Sequence, residues 1–266
     1  MTAAAEHAPR DLAEYTQQYR SLPFEPIQIE YRRRLVLQKV RALAPARLLE
    51  VGCGERPLFL DLPYTACTVV EPTAAFAANA RQLADEQPDT AQPARVVEAL
   101  LEDFAGQQAS GRPSFDMIVA SCVLHEVPDP QRFLGALRRL CGPGTVVHVN
   151  VPNARSVHRL LAVAMGLIDD PTAPSETQRT MQQRDTVYDL ASLRQAMASA
   201  GLEVATHGSL FVKPFTHRQM QQLVEQGFMT RAMLDGLDRL VKWMPEMGSE
   251  LWVHARANPA VEEGLP

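Results

Sequence analysis

Long apolar runs are missing from this sequence. No stretch approaches the roughly 20 residues that a bilayer-spanning helix needs. The amino-terminal MTAAAEHAPRDLAEY has no apolar core behind a basic start, as a secretory leader would. Both absences predict a cytoplasmic chain with no membrane partner. Positive charge is scarce as well: Lys and Arg total 26 against 31 Asp and Glu, a formal net charge of −5. Without surplus cations to neutralise phosphates, nucleic acid is not an expected partner. The four cysteines, Cys53, Cys67, Cys122 and Cys141, stand singly in apolar surroundings with no Cys-x-x-Cys spacing. Neither a disulfide framework nor a structural zinc site is predicted, and buried thiols are expected. His207, His217 and His254 have no partner at metal-ligand spacing, so no metal is expected and all three read as structural. Internal repeats and low-complexity tracts are absent too.

What is present is the composition of a globular protein, 46% hydrophobic and 21% charged over 266 residues, enough for one α/β domain with additions. The amino-terminal part, to about residue 45, reads as a helical preface with a turn at Leu22-Pro23 and a helix in IEYRRRLVLQKVRAL. RLLEVGCG and CTVVEPT follow as short buried strands separated by a turn, and TAAFAANARQLADE as a helix. ARVVEALLEDF, FDMIVASCV and TVVHVNV are three more strand candidates; PQRFLGALRRL and the turn Cys141-Gly-Pro-Gly144 separate the last two. Strands alternating with helices predict a parallel sheet covered on both faces. Two segments interrupt the alternation, about 154–186 and 214–246. Both are expected to be largely helical, the first with a loop around Pro171 and Pro174. LEVATHGSLFV and ELWVHARA complete seven strands, the last expected to run antiparallel, and residues 258–266 read as a tail.

The chemistry concentrates in Glu50-Val-Gly-Cys-Gly54 and in Glu71, which closes the next strand. Glycines after the first strand of an α/β unit let the backbone turn tightly beside a ligand, and an acid at the end of the second strand can accept hydrogen bonds from ribose hydroxyls. A dinucleotide loop needs a third glycine so that a helix amino terminus can receive a pyrophosphate. Pro57 stands in that place. A loop that opens with an acid and has no phosphate to cradle suits S-adenosylmethionine better.

LLEVGCG, VVEP, FDMIVASCVLHEVPDP and the two carboxy-terminal strands resemble the successive motifs of class I S-adenosylmethionine methyltransferases, over about 47–257. GCGERPLF, VVEPTAAFAANA, VPNARSVHRLL, VYDLASLRQAMASAGL and LFVKPFTHRQM are similar to a bacterial branch met in polysaccharide and secondary-metabolite gene clusters. The resemblance implies a three-layer Rossmann-like fold with S-adenosylmethionine as cofactor and S-adenosylhomocysteine as product. It would set Gly52, Cys53 and Gly54 against the methionine and ribose portions, Glu50 on the ammonium or a water, Glu71 on the ribose and Pro72 against the adenine. Leu101 and Glu102 would meet the adenine edge. Ser121 and Cys122 would offer carbonyls near the sulfonium, and Asn153, His158 and Tyr188 would face the substrate.

Methyl transfer is an in-line displacement, so the protein must chiefly align the acceptor and remove a proton where one has to leave. His125, just past the fourth strand, is the candidate base, with a structural role as the alternative. His148, flanked by valines in a strand, reads as packed. Arg32, Arg33 and Arg34 form a basic run that meets an acidic ligand or, more ordinarily for at least two of them, a solvated face. Tyr15, Tyr19 and Tyr31 stand at spacings that allow one of them to close over the site, and Met220, Met229, Met233, Met244 and Met247 form either a lid wall or core. The acceptor is expected to be a small molecule methylated on oxygen, with nitrogen and carboxylate as alternatives. A nicotinamide oxidoreductase, opposed by Pro57, and a non-catalytic cofactor-binding protein remain open, and the sequence fixes no oligomeric state.

Overall fold

The computed structural model describes residues 22–88, 92, 94–108, 115–174 and 187–258. Tyr15, Tyr19, the end of the first insertion and the tail beyond Asn258 lie outside them. Helix α1 (Glu25–Leu43) leads into β1 (Arg47–Val51) and β2 (Ala66–Val70); α2 (Ala74–Asp85), β3 (Ala94–Val97), α3 (Leu101–Gln107) and β4 (Phe115–Ser121) follow. Next come α4 (Pro130–Leu140), β5 (Cys141–Pro152), α5 (Val157–Ala164), α6 (Leu190–Ser199), β6 (Leu202–Leu210), α7 (His217–Glu225), α8 (Arg231–Arg239) and β7 (Glu250–Ala257).

The seven strands form one sheet in the order β3-β2-β1-β4-β5-β7-β6. Strands β1 to β5 pair in parallel, while β7 is antiparallel to both β5 and β6, so β6 shares the common direction. This is the expected three-layer Rossmann-like arrangement.

Alternation along the central strands sorts side chains into two cores. Leu49, Val51, Ile118, Ala120, Val147, Val149 and Val151 face α3, α4 and α6, meeting Phe104, Phe133, Leu134, Leu137 and Leu193. Leu48, Met117, Val119 and Val69 face the other way, against Val36, Leu37 and Val40 of α1 and Ala80 of α2. Helix α4 shows how the sequence fixes such an element. Asp129 caps it by accepting from the Arg132 N–H at 2.9 Å, Pro130 stands in its first turn, and Phe133, Leu134, Leu137 and Leu140 recur at three and four.

Two local expectations need correction. In ARVVEALLEDF only Ala94–Val97 is strand; Leu101, Phe104 and Ala105 repeat at helical spacing and bury one face of α3. The Cys141-Gly-Pro-Gly144 turn is part of an irregular start to β5, where the register against β4 slips between Phe115 and Met117. Within the first insertion α5 is the described helix and turns occupy 165–174; the second supplies α7 and α8.

A third, smaller core joins α1 to the second insertion: Phe24, Tyr31, Leu210, Phe211, Met220, Met229 and Leu234. Tyr31 therefore does not close over a site. Its ring packs 4.8 Å from Phe211 and its hydroxyl donates to Asp235 at 2.8 Å. Met220 and Met229 are core, the plainer of their two readings. His148 is fully buried beside His254 and Trp252, and burial pushes its imidazole down to about 3, so it is neutral.

Candidate active site

A cavity of about 1430 Å³ runs along the carboxyl edge of the sheet. Its lining comes from the segments that follow β1 to β5, from α1 and α5, and from the start of α7. Ligand clefts for one small molecule run to roughly 300–1,000 Å³, so this volume accommodates two.

At one end lies the loop after β1. Gly52 and Gly54 have φ of +72° and +57°, a left-handed region costly for residues with a Cβ. A Cβ on Gly52 would stand 2.6 Å from Val123 Cγ2, so this position admits no side chain without displacing the segment after β4. Glu71 braces the turn. One carboxylate oxygen accepts from the Cys53 N–H at 3.0 Å and the Gly54 N–H at 3.4 Å, the other from the Thr73 N–H at 2.9 Å. Arg33 clamps the far side of the loop, donating to the Arg56 and Pro57 carbonyls and to Asp61. Pro57 leads into a short 3-10 turn, Leu58–Asp61, and no third glycine continues the motif.

The donor set fits a cationic nucleoside. Glu50 is buried and accepts one backbone hydrogen bond, from Leu58 N–H at 2.8 Å, while lining the cavity. Burial pushes its carboxyl up to about 8. Glu71 is raised as well, again chiefly by burial. Two carboxyls facing one cleft, each with lone-pair capacity left over, favour a ligand that brings positive charge and hydroxyl donors.

The other end is polar and buried. Glu250, at the start of β7, accepts from Arg32 Nε at 2.9 Å, Arg32 Nη2 at 2.6 Å, Gln28 Nε2 at 2.7 Å and Asn150 Nδ2 at 2.8 Å. Burial alone would raise this carboxyl, but the charge and hydrogen bonds of Arg32, with those of Gln28, outweigh it and bring it down to about 2. Arg32 also reaches Glu25 at 3.0 Å. Cys122 Sγ lies 3.5 Å from Glu250, and its backbone has φ of +56°, a conformation that non-glycine residues hold only under constraint. Lys213 and His217 line the same compartment.

Of the residues singled out from the sequence, Glu50, Gly52, Cys53, Gly54, Glu71, Pro72, Ser121, Cys122, His125, Asn153 and His158 all line this cavity. Three do not. Leu101 belongs to the core beneath the sheet and Glu102 is absent from the lining; Glu98, Ala99 and Leu100, one step earlier, occupy that position because the chain turns into α3 at Leu101. Tyr188 packs its ring in the core and touches the site region only through a backbone bridge to Asn153. Asn153 spends its amide on the carbonyls of Glu246 and Gly248, at 2.9 and 2.8 Å, which ties β5 to the approach to β7. His158 is held by Ser156 at 3.0 Å and lies well below the usual imidazole range, through burial and then the charge of Lys213.

The basic run of α1 is also not a solvated face. Arg32 and Arg33 are paired and largely buried, and only Arg34 is half exposed. His217, which read as structural, belongs to the cavity. Sequence reasoning missed Lys213, Glu250, Gln28 and Glu25 altogether. The only signal was helical: Glu25, Gln28 and Arg32 recur at three and four on α1, a polar stripe facing inward.

Comparison with known proteins agrees with this geometry. A family described as a methyltransferase domain matches residues 28–207, and the chain belongs to it. It is a class I S-adenosylmethionine-dependent methyltransferase. No curated protein matches the sequence. Among solved structures, an S-adenosylmethionine-dependent methyltransferase from Mesorhizobium loti superposes with a TM-score of 0.51 at 16% identity, covering 82% of this chain and 96% of its own. The plantazolicin methyltransferase BamL, solved with a triazolic desmethyl analogue and S-adenosylhomocysteine, gives 0.52 at 16% identity over 93% and 96%. The mitomycin 7-O-methyltransferase MmcR gives 0.52 at 13% identity, covering 92% of this chain and 53% of its own. At these identities the likeness is one of fold. When bound, S-adenosylmethionine supplies a methyl group activated by positive sulfur; Glu50, the Gly52–Gly54 turn and Glu71 are the residues that would hold it.

Proposed function

We propose that the enzyme methylates an oxygen of a small-molecule acceptor and that His125 draws off the acceptor's proton. The supporting observation is the single cavity that joins the Gly52–Gly54 loop to a second compartment walled by α1, α5 and α7. Such walls admit a small molecule and hinder the approach of a folded macromolecule. One fold neighbour is named as a 7-O-methyltransferase of mitomycin, a chemistry of the same kind.

His125 follows the end of β4 by four residues, is buried and faces the cavity, with Nε2 3.7 Å from Glu126 Oε1. An imidazole in its neutral form can take up a hydroxyl proton. Asn153 and His158 would border the acceptor, Asn153 through its remaining carbonyl lone pair.

The test is production of S-adenosylhomocysteine from S-adenosylmethionine across a panel of small hydroxylated acids, phenols and amines, followed by His125→Gln on the best acceptor. A base predicts a loss of about 100-fold to 10,000-fold in kcat with cofactor affinity intact. It also predicts that the variant loses one deprotonation step from the pH profile of the rate. A variant that keeps its rate and pH profile, or turnover of amines alone, would refute the proposal.

A further inference from the structure

Lys213 stands out among the ionisable groups of the second compartment. It follows β6, is 2% exposed and lines the cavity. Among the described residues its ammonium has one hydrogen-bond partner, Gln28 Oε1 at 3.4 Å. An ammonium has three donors, so two are left without an acceptor among the described residues; Glu25 and Glu250 act on it through charge alone.

The neighbouring carboxylates are already engaged. Arg32 holds Glu250 through both carboxylate oxygens and reaches Glu25 with the same guanidinium, while His217 stands 3.6 Å from the second oxygen of Glu25. Gln28 divides its amide between the two halves of the cluster, donating to Glu250 and accepting from Lys213. The lysine is thus held in the cavity wall by a neutral group. His158 and His217 face the same region, and the lysine's charge depresses both imidazoles, after burial. Burial pushes Lys213 itself down to about 8, which leaves it mostly charged at neutral pH.

We infer that Lys213 is an anchor for a carboxylate on the methyl acceptor. The inference rests on reading this compartment as the acceptor's. Ile29, Val36, Ala162, Ile168 and Val187 supply apolar walls around the polar cluster, so the acceptor is a small acid with an apolar body. A bound carboxylate satisfies the two ammonium donors that no described residue accepts, and adds an anion in hydrogen-bond contact to the more distant charges of Glu25 and Glu250.

Benzoate serves as the probe and benzamide as its uncharged counterpart, with binding followed by ligand-observed NMR on the protein with and without saturating S-adenosylhomocysteine. Benzoate is expected to bind in both states and at least about tenfold more tightly than benzamide. Lys213→Met should weaken benzoate by about ten- to a hundred-fold and leave S-adenosylhomocysteine affinity unchanged. Equal binding of benzoate and benzamide, undiminished benzoate affinity in the variant, or inorganic phosphate binding in place of benzoate would each overturn the inference. So would displacement of benzoate by S-adenosylhomocysteine, or a joint loss of both ligands in the variant, because the lysine would then hold the cofactor's own carboxylate. Failure of the wild type to bind S-adenosylhomocysteine counts against the cofactor site instead. The benzoate-to-benzamide ratio on the protein alone still decides the case for Lys213.

Discussion

Replacing Glu250 by glutamine removes one charge from a buried, multiply bonded carboxylate while keeping its shape. In the wild type this carboxylate accepts from four side chains and lies at about 2, against an ordinary 4.5. A depressed carboxyl contributes stability that is present above its unfolded value and is lost as pH falls through its folded one. At about 1.4 kcal/mol for each tenfold change in proton affinity, the fall from 4.5 to about 2 amounts to roughly 3–4 kcal/mol. Breaking a buried ion pair from one side costs on the order of 3–5 kcal/mol, which agrees. At about 2–4 °C per kcal/mol for a chain near this size, Glu250→Gln should melt roughly 6–16 °C below the wild type.

Circular dichroism melts between pH 5.5 and 6.5 should show that gap in full, because the wild-type carboxylate is ionised there in both states. Glu250 also helps to keep Lys213 charged, so in the variant that ammonium gives up its proton more readily and the gap should narrow as the buffer rises toward 8. It should narrow again as the buffer falls below the unfolded value of 4.5. The double variant Arg32→Met with Glu250→Leu should recover much of the loss, since the pair is removed as a whole. A single variant that melts with the wild type at pH 6 would refute the reasoning, because the pair would then be solvated.

Three further outcomes follow from the cofactor end. Glu50, raised to about 8, favours the folded free protein at low pH and loses that contribution as pH rises through 8. A cationic ligand should reverse this, so titration calorimetry at pH 7 in phosphate and in Tris should register proton release on binding S-adenosylmethionine; identical heats after correction for buffer ionisation would contradict it. Gly52→Ala places a Cβ against Val123 in a left-handed turn, and S-adenosylhomocysteine affinity should fall more than about tenfold while the melting temperature drops only a few degrees. Arg33→Met frees the loop after Gly54 from α1, a loss of about 1.5–3 kcal/mol in charge-assisted hydrogen bonds, and should speed cofactor dissociation in stopped-flow traces.

The contrast between the two ends of the cavity marks what a sequence can disclose. The glycine turn after β1 was legible because its requirements are local: a glycine at φ +72° and an acid at the end of the adjacent parallel strand stand at spacings set by the βαβ unit itself. Leu101 and Glu102 were misplaced by a few residues, since an apolar run of this length reads equally as strand or helix until packing selects one. The acceptor end was opaque for a different reason. Gln28 and Glu250 meet across 222 positions of sequence, and Lys213 and Gln28 across 185. No period or spacing connects them; only the return of β7 beside β5 and the descent of α1 over the sheet do so. Arg32 and Arg33 looked like a solvated run because charge on a helix is ordinarily exposed. Their burial follows from where the carboxylates stand, on strands and loops remote in sequence. If this compartment holds the acceptor, as proposed, its specificity rests on contacts between distant elements, which can change one residue at a time while the loop after β1 stays as it is. A Lys213 substitution should accordingly alter which acids bind without touching the turn at Gly52.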